Sequence, residues 1–142
     1  MAGLLLARAS EIVSVSGTFV TPLRCEKLYS SHSNGRPQWI LLSILVYKSQ
    51  LHDADLVVPA AFVTDFASVP RLPFAYVLTG DTGHASATLH DYLVRERVVS
   101  RTKADKIFRE ALIAEGEPKW RAWAMYVAVS SNTLLKKVLR RE

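Results

Sequence analysis

The chain is short of cysteine, of acidic charge and of long apolar runs. Cys25 is the only cysteine in 142 residues. One thiol excludes an intrachain disulfide and a cysteine-based zinc site, and it fits a reducing compartment. No apolar run approaches the roughly 18 residues of a membrane helix. The apolar start, Met1 to Ala7, has no basic flank ahead of it, so no signal peptide is expected. Six glycines and six prolines leave no low-complexity linker, and there is no internal repeat. Acidic residues number 13 against 18 Lys and Arg, a net charge of +5, but Lys136, Lys137, Arg140 and Arg141 all fall in the last seven positions. The remainder is only mildly basic, which argues against a broad nucleic-acid face and leaves a basic tail suited to an acidic partner.

What is present suits one globular domain, residues 1–142, with an irregular start at 1–10 and a basic amphipathic tail at 133–142. Apolar residues make up 49% and charged residues 22%, enough to build one core. Period-two alternation predicts a strand over Glu11–Gly17, followed by a link over Phe19–Pro22. A second strand is expected over Leu23–Tyr29, then a turn at Ser30–Pro37 centred on Asn34-Gly35, a pair that accepts positive φ. Trp39–Tyr47 is apolar on both alternating faces and reads as one central strand, with a short buried helix as the competing reading. Leu56–Val58 starts a further strand, which Pro59 ends or confines to an edge.

Beyond Pro73 the period becomes helical. Asp81 or Thr82 is placed to cap a helix ending near Val94, with Ala85, Leu89, Tyr92 and Leu93 as its apolar stripe. Thr102 is the expected cap of a second helix, which buries Ala104, Ile107, Phe108, Ala111 and Leu112 and stops at Gly116. Pro118 opens a third, buried through Trp120, Trp123, Ala124, Val127 and Ala128. Ser130-Ser131-Asn132 breaks it before a short amphipathic segment carrying Leu134, Leu135, Val138 and Leu139. Strands first and helices afterwards make an α+β fold: an N-terminal antiparallel sheet of three to five strands with three C-terminal helices packed on it.

The seam between the two halves, Val57 to Arg71, sets Thr64, Asp65, Ser68 and Arg71 among Phe62, Phe66 and Val69. The following helix carries His90 and Asp91, adjacent and therefore pointing about 100° apart. If the stripe faces the core, neither of the two does. Three chemistries fit these residue types. A His-Asp step binds a divalent metal if other segments add ligands, which makes His90, Asp91 and Asp65 the candidate set, with His84 and Asp105 in reserve. Ser68 as nucleophile needs a base such as His90 oriented by Asp65 or Asp91, but the glycines of a nucleophile elbow are missing around it. The structural alternative is an Asp91–Arg95 pair one turn apart, His90 bonded to a loop carbonyl, and an Asp65–Arg71 or Asp65–His90 bond closing the seam. A metal is therefore possible in type but not the favoured reading.

Several blocks carry a resemblance. Val58-Pro59-Ala60-Ala61-Phe62-Val63-Thr64-Asp65-Phe66-Ala67-Ser68-Val69-Pro70-Arg71 is the first. His90-Asp91-Tyr92-Leu93, Ser100-Arg101, Ala104-Asp105 with Phe108, and the run at 124–129 follow in order. Together they resemble the DUF1353 family of tailed phages and bacterial prophage regions, over about residues 20–130. Ala61 stands where that family usually has Gly, which implies a relaxed or reshaped backbone there, and Val94 stands where it often has Tyr. The resemblance implies a phage origin and a fold rather than a reaction. The expectation is a phage-encoded structural or assembly protein, a virion or tail component. It would work in the bacterial host cytoplasm during infection or within the particle, with other phage structural proteins or copies of itself as partners. Thr64, Arg71, Lys136, Lys137, Arg140 and Arg141 are then the candidate binding residues. The alternative is a small, metal-assisted hydrolase with Asp65, Ser68, His90 and Asp91 as its catalytic candidates.

Overall fold

The computed structural model describes residues 17–33, 36–66 and 83–140. The N-terminal half forms β1 (Thr18–Phe19), β2 (Cys25–Ser33), β3 (Arg36–Leu41), β4 (Leu45–Lys48), β5 (Leu56–Val58) and β6 (Val63–Thr64). The C-terminal half forms α1 (His84–Arg95), α2 (Arg101–Ala114) and α3 (Lys119–Arg140). The fold is α+β, with antiparallel strands preceding three helices.

The strands make two three-stranded sheets, ordered β1-β4-β5 and β2-β3-β6, rather than one. The expected central strand over Trp39–Tyr47 is therefore two strands. The chain leaves the second sheet at Leu41 and enters the first at Leu45. The corner is held from the side: the Leu42 N–H donates to the Arg24 carbonyl at 2.9 Å, and the Thr21 hydroxyl donates to the Ile44 carbonyl at 3.1 Å. Leu42 and Ile44 face solvent here, so the doubly apolar pattern came from a crossing between sheets and not from a strand covered on both sides. The expected link at Phe19 is part of β1, whose Phe19 pairs with Tyr47 of β4. The other expectation for this region, a strand over Glu11–Gly17, lies outside the described residues except at Gly17, which precedes β1, and the Asn34-Gly35 pair and the caps Asp81 and Thr82 lie outside them too.

β5 ends at Val58, immediately before Pro59, and is an edge strand of its sheet. A turn then carries the chain from one sheet to the other, with the Phe62 N–H directed at the Pro59 carbonyl and Ala61 at φ 69°. Positive φ at the third position of a turn is ordinary for Gly and costly for a residue with a Cβ. The alanine has not relaxed the backbone; it occupies the left-handed conformation that glycine takes without strain.

α1 and α2 cover the strands. Leu41, Leu45, Tyr47, Leu56 and Val58 form one core with Leu89 and Leu93 of α1 and Ala104, Ile107 and Ala111 of α2. Tyr47 is fully buried, and its hydroxyl donates to Glu110 of α2 at 2.7 Å. Burial and the neighbouring carboxylate push this phenol far above its ordinary range. Gly17 lies against the same contact, and a Cβ there would collide with the Tyr47 ring.

Three helical expectations are corrected. The cap of α2 is Ser100, whose hydroxyl accepts from the Lys103 N–H, and not Thr102. α3 runs unbroken through Ser130-Ser131-Asn132, since its packing along α2 outweighs the weak propensity of three residues. Its buried residues are Ala122, Met125 and Thr133, whereas Trp120 and Trp123 are 57% and 51% exposed and Val127 is exposed too. α3 is layered on α2, where Ala122 and Met125 pack with Ala87, Phe108 and Leu112. Ala122 lets the two helices approach, and Trp123 lies at the edge of their contact, where Arg109 of α2 sits 5.0 Å over its ring.

Candidate polar junction between the strands and the first two helices

β6, α1 and α2 converge on a set of polar side chains. Thr64 ends β6 and is fully buried. Its hydroxyl oxygen accepts from the Phe66 N–H at 3.1 Å and is hydrogen-bonded to the Asp91 carboxylate of α1. One turn on, Arg95 completes the contact: Nη2 donates to Asp91 Oδ2 and Nη1 to the Val63 carbonyl, each at 2.8 Å. The guanidinium also lies 4.9 Å over the Phe62 ring, which itself meets Tyr92 edge-on. Asp91 and Arg95 thus pin α1 to the last strand, and the pair one turn apart is present.

Burial pushes the Asp91 carboxyl above the usual carboxylate range. Arg95, the Thr64 hydroxyl and His90 act against this, while the Asp65 carboxylate adds to it. Asp65 is therefore close enough to Asp91 for the two carboxylates to influence each other.

His90 points the other way. Its Nε2 lies 2.7 Å from Asp105 Oδ1 of α2, and the ring packs 5.1 Å from Phe108. Only 7% of His90 and 2% of Asp105 is exposed. The expectation that His90 lies off the core is overturned: α2 packs against that flank of α1 and encloses the imidazole. The partner of its Nε2 is the Asp105 carboxylate. Asp105 belongs to the buried stripe of its own helix, three residues before Phe108 and seven before Leu112, so helical spacing alone placed it inward. An aspartate inside an apolar stripe was the available signal for a partner across the interface.

Two further carboxylates escaped the reading from sequence. Glu115, at the end of α2, accepts from the Ser86 N–H and hydroxyl near the start of α1, where it completes orphan donors and meets the positive end of the helix. Glu110 bridges Tyr47 and the Gln50 N–H. Neither sits in a recognisable motif; both depend on which helix ends meet.

The remaining candidates are dispersed. Ser68 and Arg71 lie outside the described residues. Lys136 and Arg140 are exposed at the end of α3, and Lys137 donates to the Thr102 hydroxyl at 3.0 Å. Arg141 also lies outside the described residues. Among the described residues, no three His, Cys, Asp or Glu side chains are grouped to hold a metal ion. His90 and Asp91 are aimed at different elements, His90 at Asp105 of α2 and Asp91 at Thr64 of β6 and Arg95 of its own helix. The geometry suits fixing three elements together. It also keeps an imidazole oriented by a carboxylate within electrostatic reach of a carboxyl with raised proton affinity.

The described molecule is an α+β domain whose polar junction sits between a strand end and two helices. The chain belongs to the family described as protein of unknown function (DUF1353), which it matches over residues 39–129. That span begins at β3 and ends within α3, so it contains the whole junction. No curated protein and no solved structure matches the chain. Among the described residues, no helix is long and apolar enough to cross a membrane.

Proposed function

We propose that this chain is a phage-encoded structural or assembly protein, a virion or tail component that acts by holding another phage protein. The observation that carries the reading is the outer face of α3. Trp120, Trp123, Val127, Leu134, Leu135, Val138 and Leu139 are all exposed on α3, with Arg109 of α2 lying 5.0 Å over the Trp123 ring. Scattered exposed apolar residues are normal, but a contiguous row with two tryptophans is the composition of an interface. The acid–base groups, by contrast, are buried against one another.

The test is particle association. The tagged protein, expressed during infection, is followed through density-gradient purification of particles. Co-migration that survives Asp91→Asn and is lost in a Trp120→Ala, Trp123→Ala double variant is the expected result. Absence of the wild-type chain from particles and from their assembly intermediates overturns the reading.

A second reading, a small hydrolase, rests on one observation: His90 is held by Asp105 beside a carboxyl whose proton affinity burial has raised. Perturbed groups of this kind favour proton transfer. Hydrolysis of cell-wall or nucleotide-like substrates by purified protein, lost in Asp91→Asn without loss of folding, would replace the structural reading with this one.

A further inference from the structure

Beyond the structural reading and independent of it, we infer that the seam between α2 and α3 is a binding strip for single-stranded nucleic acid. Two contacts fix which flanks of the helices border it. At one end the Lys137 ammonium of α3 donates to the Thr102 hydroxyl of α2 at 3.0 Å. At the other the Arg109 guanidinium of α2 lies 5.0 Å over the Trp123 ring and 5.9 Å over that of Tyr126. Successive helical residues advance by about 100°. On that basis Thr102, Lys106 and Arg109 fall within about 60° of one another on α2, and Trp123, Tyr126 and Lys137 within about 60° on α3. The contacts and the helical spacing therefore agree on one strip, about 10 Å long on the α2 side.

The strip is cationic because the carboxylates of α2 are engaged elsewhere. Asp105 is bonded to His90, Glu110 to Tyr47 and Gln50, and Glu115, just past the helix end, to Ser86. α3 carries no Asp or Glu. Among the described residues, no carboxylate lies within ion-pair distance of Lys106, Arg109 or Lys137. The hydroxyl that holds Lys137 leaves its charge unneutralised. The mildly basic sequence conceals this narrow strip, because the acids and bases of α2 separate only once the helix is packed.

The occupant follows from what stands among the cations. Charges of one sign gathered without a counter-charge attract a chain of anions. Trp123 and Tyr126 lie in the same strip with ring centroids 5.5 Å apart, and Trp123 is half exposed. A row of carboxylates makes no use of such rings. A nucleic-acid strand offers a π-face to the rings and phosphates to the cations. Pairing and stacking in a duplex hide the base faces, so the unpaired strand is the form that suits.

The test titrates the full-length protein with labelled oligodeoxythymidylate of about twelve nucleotides. Its duplex with oligodeoxyadenylate and polyglutamate serve as competitors. Binding is read by fluorescence anisotropy and by quenching of the protein's indoles. The unpaired strand is expected to bind, with affinity falling against salt at a log–log slope of about −2, as for three neutralised phosphates on a single strand. Lys106→Ala should weaken binding and flatten that slope by about 0.7. Trp123→Ala should weaken it about tenfold with the slope unchanged, as for a lost stacking platform. Trp123→Phe should keep most of the affinity and remove the quenching. Trp120→Phe, off the strip, should alter neither. All three side chains are exposed, and circular dichroism verifies that each variant keeps its helices. No binding, competition by polyglutamate or duplex as strong as by the unlabelled strand, a slope unchanged in Lys106→Ala, or equal losses in Trp120→Phe and Trp123→Ala would each overturn the inference. Failure here leaves particle association to its own experiment, since that reading needs a protein partner and no strand.

Discussion

The junction around α1 and the outer face of α3 treat their side chains in opposite ways. At the junction, groups that water solvates well are taken out of it. His90, Asp105 and Thr64 are buried, and each has a partner within hydrogen-bond range. On α3, groups that water solvates poorly are left in it, including two tryptophans and four Leu or Val residues near the helix end. Buried polar groups survive in a folded protein when they bond to one another. Exposed apolar side chains carry no such internal compensation. Within one small molecule, His90 and Asp105 are bonded inside the fold while Trp120 and Trp123 stand half exposed on α3.

The comparison can be broken first at His90. His90→Ala leaves Asp105 inside the helix interface without its imidazole, and removing one partner of a buried pair costs about 3–5 kcal/mol. Urea unfolding should show that loss. A change under about 1 kcal/mol would mean that the pair is not a structural element, and would favour a role in chemistry. His90→Ala combined with Asp105→Leu should recover part of the loss, because no charge is then left buried.

A smaller effect is expected at Asp91. Its carboxyl binds a proton more tightly in the folded chain than in the unfolded one. Its ionisation therefore works against folding. The associated stability is fully present below the ordinary aspartate value of about 3.9 and declines as pH rises through the higher folded value. Relative to Asp91→Asn, the wild type should lose stability over that rise and run parallel to the variant above it. A wild type that instead gains on the variant over this range would show that Arg95, rather than burial, sets the proton affinity.

Smaller again is Ala61→Gly. The φ of 69° at this turn costs a residue with a Cβ about 1 kcal/mol relative to glycine. The substitution should raise the unfolding free energy by less than that amount, since the greater freedom of glycine in the unfolded chain offsets part of the relief. The smallest effect on stability belongs to the other region. Trp123→Ala should lower folding stability by about 0.5 kcal/mol, the low end for a cation resting on an exposed ring, since Arg109 of α2 loses the indole under it. A large loss of stability there would show that the indole is already engaged within the chain.

Much of the fold was readable residue by residue. The apolar spacing of α2 identified Ala104, Ile107, Phe108, Ala111 and Leu112, and all five are buried. Pro59 marked the end of an edge strand because proline has no N–H to give to a ladder. The Asp91–Arg95 pair followed from helical geometry alone. Three things were not readable. The run over Trp39–Tyr47 has the same alternation whether it is one strand or two strands joined by a corner, and side chains from Thr21 and main chain from Arg24 decide which. α3 is apolar on two sides, so periodicity could not say which side meets α2. The small residues won because they let the helix axes approach. Finally, His90 and Asp105 are fifteen positions apart and on separate helices, and no spacing rule links them.

By itself, then, the sequence determined that strands precede helices, the buried row of α2 and the charge of the C-terminal helix. These follow from local sterics and from a repeat that a single element carries along its own length. The tertiary structure decided which rows meet. It divided the strands between two sheets, enclosed His90 with Asp105, tied Asp91 to Thr64 and left the tryptophans of α3 facing outward. Such choices depend on packing between elements distant in the chain, where the fit of volumes and the pairing of buried polar groups select one arrangement among several that the local pattern allows.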